Sequence, residues 1–178
     1  MHISHVTNAK RVGKIGISST HDKKLTLETD PGISKSELRD NTGRVYFLTV
    51  NGEIKKIGGS QCKGGIQSTI AAYLGGFAQG MSPRSYCVWN YCRKEILAGN
   101  LVEFWFILAP TTTAEIPTMN GTKTVEIALD FHQIETACVQ EYLDVEHDHP
   151  YLNMQEGGRK WIDTGLLEGY PGIINTSK

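Results

Sequence analysis

The run from Arg44 to Ser60, RVYFLTVNGEIKKIGGS, constrains this chain more than any other stretch. Arg44 to Val50 is dense in β-branched and aromatic residues and reads as a strand. Asn51-Gly52 is a strong hairpin signal, and Glu53 to Ile57 returns as a second strand. Gly58-Gly59-Ser60 then ends the hairpin in a turn whose backbone N–H groups can face a phosphate. A β-hairpin must bury one face, so the rest of the fold has to pack around this one.

The register of that hairpin decides whether Tyr46 and Lys56 can work together. A strict two-residue turn at Asn51-Gly52 pairs Val50 with Glu53 and sends the two side chains to opposite faces. A bulge or a three-residue connection pairs Leu48 with Lys56. Tyr46 and Lys56 then share a face as diagonal neighbours. A joint site needs the second arrangement, so the expectation is a bulged or three-residue turn.

The remaining elements follow from periodicity. Residues 1–30 are polar and read as an arm or an early strand; Pro31-Gly32 is a break; Ser34 to Asp40 suits a short helix capped by Ser34 or Ser36. Ile66 to Leu74 carries apolar residues at helical spacing and stops at Gly75-Gly76. Ser82-Pro83 opens a second helix running to about Leu97. Leu101 to Leu108 is a buried strand by composition, 110–122 a loop, Lys123 to Leu129 a strand, and Asp130 to about Glu146 a helix. From Pro150 onward the chain reads as mostly irregular, with a turn at Gly157-Gly158-Arg159-Lys160. This order implies an α+β class: a small mixed or antiparallel sheet that starts with a β-hairpin and is flanked by helices. The expected organisation is a single structural domain: an N-terminal arm at 1–43, a core at 44–153 with an insertion near 76–100, and a tail at 154–178.

At 178 residues, with 39% hydrophobic and 21% charged residues, the chain has the makings of one soluble domain. No apolar run approaches the roughly 18 residues needed to span a bilayer, and the N-terminus shows no secretory pattern. No membrane association and a cytoplasmic, intracellular setting are therefore expected. The four cysteines, Cys62, Cys87, Cys92 and Cys138, are then expected as free thiols.

The net charge of −1 does not advertise nucleic-acid binding, but its distribution is uneven. Lys10, Arg11, Lys14, Lys23 and Lys24 crowd the start, and Arg44, Lys55, Lys56 and Lys63 crowd the hairpin. Residues 130–148 hold Asp130, Glu135, Glu141, Asp144, Glu146 and Asp148 with no lysine or arginine. A basic front half can attract phosphates, and an acidic helix can hold a cation. On that helix Ile134, Ala137, Cys138 and Glu141 fall on one stripe, so Glu141 is expected to point inward. A carboxylate there needs either an ion-pair partner or a cation such as Mg²⁺. His147 and His149 can chelate a metal or form a solvated helix end.

Taken together, these residues resemble the GIY-YIG nucleases. Arg44-Val45-Tyr46 and Lys56-Ile57-Gly58 with Ser60 look like the two half-motifs. Tyr73 sits where the family carries a tyrosine or histidine. Glu141 followed by Pro150-Tyr151-Leu152-Asn153 is similar to the closing motif. Arg44 replaces the first glycine, and Lys56 replaces the second tyrosine, a swap similar to some type II restriction enzymes of the family. The family's helical arginine is missing, with Thr69 in its place; Arg84 or Lys63 are the substitutes at hand.

The resemblance implies a metal-dependent endodeoxyribonuclease. Glu141 would hold Mg²⁺, with Mn²⁺ as a substitute, and Tyr46 would be the general base. The Lys56 ammonium would favour its phenolate. Tyr73 and Arg84 would bond or neutralise the phosphate. Ser60, Lys63, Arg84, Arg93 and Asn153 would contact DNA, and Arg159 and Lys160 are further readers of guanine or phosphate. The compact chain suits a type II restriction enzyme acting on double-stranded DNA as a homodimer, since a two-fold protein matches a palindromic site. The alternatives are a structure-directed repair or phage endonuclease of the same family, or a non-catalytic binding module with zinc held by Cys87, Cys92, His147 or His149.

Overall fold

The computed structural model describes residues 1–75, 81–154 and 164–170. Its centre is an antiparallel sheet of five strands in the order β2-β1-β5-β3-β4. The strands are β1 (Lys10–Ser18), β2 (His21–Thr29), β3 (Arg44–Val50), β4 (Glu53–Ser60) and β5 (Val102–Leu108). Four helices flank it: α1 (Lys35–Arg39), α2 (Gly65–Leu74), α3 (Pro83–Leu97) and α4 (Phe131–Glu146). A separate two-stranded ribbon pairs β6 (Thr111–Thr118) with β7 (Gly121–Ala128). The class is α+β, as expected. No helix among the described residues is long and apolar enough to cross a membrane.

All seven residues of β3 are buried, which explains why its sequence, Arg44 and Thr49 apart, is apolar throughout rather than alternating. Helices cover both sides of it. Tyr46, Leu48 and Val50 face one layer with Phe104, Phe106 and the α2 and α3 residues Ile66, Ile70, Tyr73, Tyr86, Val88 and Trp89. Val45 and Phe47 face the other, with Ile54, Ile57 and α4's Ile134, Cys138, Val139 and Tyr142. The sheet therefore separates two cores, and a side chain's parity along β3 decides which one it joins.

The hairpin turn is the expected Asn51-Gly52, both residues at positive φ (50° and 81°). Val50 pairs with Glu53 and Thr49 with Ile54, yet Leu48 pairs with Lys56, because β4 carries one extra residue beyond the turn. The outcome is a two-residue turn followed by a bulge. It restores the register in which Tyr46 and Lys56 share a face.

Three segments sharpen or differ from the sequence reading. Of the two readings of residues 1–30, the strand holds: β1 and β2 are integral, β1 pairing directly with β5. Apolar Val12, Ile15 and Leu25 alternate sparsely among polar residues because the two strands lie at one margin of the sheet. The stretch expected as a loop at 110–122 is mostly β6 and its turn. Threonines supply the β-branching, but almost nothing there is buried, so no apolar alternation marks it. In the tail, 164–170 packs on α3: Asn90 Nδ2 donates to the Leu166 carbonyl and Tyr86 Oη to that of Glu168. The turn expected at 157–160, with Arg159 and Lys160, lies outside the described residues.

Candidate active site

The site forms where the C-terminal half of β4 meets α2, α3 and the first turns of α4. Tyr46 pairs across the ladder with Gly58. A Cβ added to Gly58 would land on the Tyr46 phenol, and one added to Gly59 would land on the Glu135 carboxylate and the Phe131 ring. The two glycines thus let a phenol and an acid approach the backbone from opposite sides of one strand.

Tyr46 Oη lies 2.7 Å from Tyr73 Oη, a hydrogen bond made by two buried phenols. The Phe104 ring flanks both, with centroids 6.1 Å and 6.2 Å away. Tyr73 comes from the sheet-facing side of α2. One turn earlier on that side, Thr69 Oγ1 bonds Ser60 Oγ at 2.7 Å.

Burial pushes the Tyr46 phenol well above its ordinary range, and Tyr73 adds to the rise; Arg84 is the cation that lowers it. Tyr73 is also raised by burial, but the hydrogen bond from Tyr46 and the charge of Arg84 oppose that rise. Desolvation is the largest influence on the Tyr46 phenol. Lys56 is itself 1% exposed, on the Tyr46 face of β4 and opposite Leu48.

The larger correction concerns the acid. Glu141 is exposed and lines a cavity of about 170 Å³ with Phe47, Ile54, Ile57, Ile107 and Cys138. Phe47 and Ile57 belong to the core that α4 covers, and Glu141 is not among the charges that act most on Tyr46 or Tyr73. The inward stripe of α4 is Phe131, Ile134, Glu135, Cys138, Val139 and Tyr142; Ala137 is exposed. Six residues turn a helix through about 240° beyond one full revolution, which is why 135 and 141 cannot share a face. Glu135 is the α4 acid whose charge acts on both Tyr46 and Tyr73. Its side chain is 22% exposed, and His132 Nδ1 lies 3.7 Å from its Oε2.

The structure therefore brings together Tyr46, Tyr73, Arg84 and Glu135. Arg84, at the exposed start of α3, was anticipated; Glu135 was overlooked. Its signal was available: Phe131 and Tyr142 are large aromatics at helical spacing, and Glu135 falls between them on the same face.

The other expected residues are placed as follows. Ser60 is committed to Thr69, and Lys63 is exposed just before α2. Arg93 lies nine residues beyond Arg84 on α3, about 13 Å along the axis, and is half-buried. Asn153 is 4% exposed, its Oδ1 accepting from Ile57 N and its Nδ2 donating to Ile57 O, both at 2.9 Å. A side chain that closes both backbone groups of an edge strand is a clamp on β4.

A lone carboxylate that is partly open to water fits Mg²⁺, which takes few protein ligands and keeps several waters. Glu135, 22% exposed beside Gly59, meets that description. The zinc alternative fares worse. Cys87 and Cys92 are buried in the core between α3 and the sheet, and burial pushes both thiols up to about 12. His147 caps the far end of α4, and no group of three or more His, Cys, Asp or Glu gathers among the described residues.

No family model and no curated protein matches this sequence. Solved structures do. A mutant of the bacteriophage T4 endonuclease EndoII is similar at 13% identity and a TM-score of 0.52, covering 80% of this chain and 95% of that one. The restriction endonuclease HPY188I in complex with product DNA is similar at 19% identity and a TM-score of 0.44, covering 80% of this chain and 78% of that one. The chain shares the fold of the phage enzyme over nearly that enzyme's whole length.

Proposed function

We propose that this protein is a metal-dependent DNA endonuclease of the GIY-YIG type, with Tyr46, Tyr73, Arg84 and Glu135 as its reactive set. The observation that carries the reading is their convergence around Gly58-Gly59: a phenol pair on one side of the strand, a carboxylate on the other, and an arginine whose charge reaches both phenols. The shared fold with EndoII supports it.

Phosphodiester hydrolysis needs an activated water, neutralised phosphoryl oxygens and a stabilised leaving oxygen. The base is the phenolate of the Tyr46–Tyr73 pair. On ionisation, whichever oxygen bears the charge accepts a hydrogen bond from the other, which offsets part of the desolvation. The phenolate takes a proton from water as the new P–O bond forms. The bond from phosphorus to the 3′ oxygen breaks, and that oxygen takes a proton from solvent water, leaving a 5′ phosphate and a 3′ hydroxyl. Arg84 neutralises the non-bridging oxygens, and Lys56 adds positive charge on the same face of the hairpin. Glu135 would hold Mg²⁺ or Mn²⁺, which supplies a positive charge to the leaving oxygen.

The substrate class is double-stranded DNA, cut at specific sites by a homodimer in the manner of a type II restriction enzyme. Lys63 and Arg93 are surface contacts for the phosphate backbone. Plasmid digestion with Mg²⁺ and with EDTA tests this. Discrete fragments with Mg²⁺ alone fit restriction, and nicking or smearing assigns the chain to a structure-directed nuclease. Intact plasmid under both conditions defeats the nuclease reading.

A further inference from the structure

Beside Glu135 stands a second side chain of a kind that binds metals. His132 is three residues earlier on α4, so the two groups fall on one face of the helix, and His132 Nδ1 lies 3.7 Å from Glu135 Oε2. That is too long for a hydrogen bond. It is within the span of one ion: two donors each about 2.1 Å from the same dication stand at most about 4.2 Å apart. As an ion pair alone the contact is weak, because the imidazole is 70% exposed and water screens it.

The surroundings hold both donors in place and leave them open to solvent. The His132 ring lies against the Phe131 ring, centroids 4.0 Å apart, and Phe131 is itself seated against Gly43 and Gly59. Gly59 also makes room for the acid: a Cβ there would take the place of Glu135 Oε2, the same oxygen that faces His132. Asp130, the other acid of this turn, is committed to the helix cap, its Oδ1 accepting from His132 N at 3.0 Å. Among the described residues no lysine or arginine is ion-paired with Glu135. From His132 a groove runs along α4, lined by Gln133, Thr136, Ala137 and Gln140, none of them charged. It admits a hydrated ion and brings no competing cation.

We propose that His132 and Glu135 together hold one divalent transition-metal ion, and that the imidazole gives this pair a preference for such an ion over Mg²⁺. A carboxylate accepts either kind of ion. An imidazole nitrogen suits first-row transition ions, whereas Mg²⁺ keeps to oxygen donors and water. The remaining ligands are water and, in the substrate complex, phosphate oxygen. The pair deepens the nuclease reading by naming the kind of ion at Glu135. That the ion serves cleavage rests on that reading; binding of the ion by the free protein does not.

The test is calorimetric titration of the full chain with Co²⁺ and with Mg²⁺, without DNA, while amide resonances locate the paramagnetic Co²⁺. The native chain should bind Co²⁺ at least about tenfold more tightly than Mg²⁺, with broadening centred on the first two turns of α4. His132→Ala should bring the two affinities within about twofold by weakening Co²⁺ alone. His132→Asp, which puts an oxygen donor in place of the nitrogen, should bind Mg²⁺ more tightly than the native chain does. Glu135→Gln should lose both ions. The imidazole is 70% exposed, so the His132 variants leave the core untouched and should fold. Equal affinities in the native chain, a Co²⁺ preference that survives His132→Ala, or broadening centred on His147 and His149 overturns the pair. A native preference in a chain that leaves plasmid intact keeps the pair and removes the nuclease reading; plasmid cleavage by a chain with no preference does the reverse.

Discussion

Glu135 and Glu141 sit on the same helix, in the same acidic run, and differ in everything that matters for chemistry. Glu135 shares the inward stripe with Phe131 and Tyr142, lies against Gly59 and acts on both phenols. Glu141 is exposed and lines a cavity with Met1, His5, Phe47 and Ile57, and it is not among the charges that act most on either phenol. Motif spacing favours Glu141, which stands before a Pro-x-x-Asn segment; helical phase favours Glu135. A reacting group must be within reach of the phosphate, so phase outranks spacing.

The largest effect should come from exchanging the two acids' fates. Glu135→Gln keeps the shape and hydrogen-bonding reach but removes the charge, and should lower single-turnover cleavage by about 10³-fold. Glu141→Gln should leave the rate within about twofold, as substitution of an exposed group away from the site does. Equal losses at both positions would break the comparison; loss at Glu141 alone would reverse it.

Next in size is the phenol pair on the other side of the same glycines. Tyr46→Phe should cost about 10²- to 10⁴-fold in cleavage with DNA binding nearly intact, the range of a lost general base. Because burial raises both phenols, the phenolate is scarce at neutral pH. The native rate should therefore climb about tenfold per pH unit from pH 7 to at least 9.5. A flat profile over that range would remove the phenolate as base while leaving Glu135 in place. The same shift has a stability consequence of opposite sign: folded pKa values above the unfolded value of about 10 make the neutral pair stabilising up to that pH, and that contribution is lost as pH rises further.

Much of this was legible in the sequence, for identifiable reasons. The hairpin, its bulged register and the shared face of Tyr46 and Lys56 follow from period-two alternation and a two-residue turn that could not by itself unite them. Ser34 was a readable cap because Glu37 completes its capping box. Tyr73 follows from the spacing of apolar residues in α2. What stayed hidden depended on contacts distant in sequence. The phase of α4 is set by Phe131 packing on Gly43 and Gly59 and by Tyr142 reaching Ile54, neither of which local periodicity contains. Asn153 is assigned to DNA only through its place in the closing motif; its partner, Ile57, is ninety-six residues earlier.

That clamp supplies a smaller prediction. Asn153→Ala strips two hydrogen bonds from the buried backbone of Ile57, on the edge strand that carries Gly58 and Gly59. It should destabilise the fold by about 1–3 kcal/mol in urea unfolding. Its cleavage should fall only modestly and recover at lower temperature, since the residue positions β4 and touches no substrate. A full-scale loss of cleavage in a variant of native stability would return Asn153 to the substrate side.

The smallest effect separates the two acids by stability rather than by rate. Glu141 is exposed and borders a cavity whose walls include Phe47, Ile54, Ile57, Ile107 and Cys138. The same neighbourhood pushes the Cys138 thiol up to about 11, through burial first and the charge of Glu141 second. Glu141→Leu adds apolar surface to that wall and removes a charge that disfavours no reaction. It should stabilise the fold by about 1 kcal/mol and leave cleavage unchanged. The matching change at the other acid, Glu135→Leu, should also fold, because its neighbours include the Phe131 ring, yet it should be inert. A pair of variants that are both stable, one active and one dead, would show that a single helix carries a structural acid and a functional one only 120° or so apart.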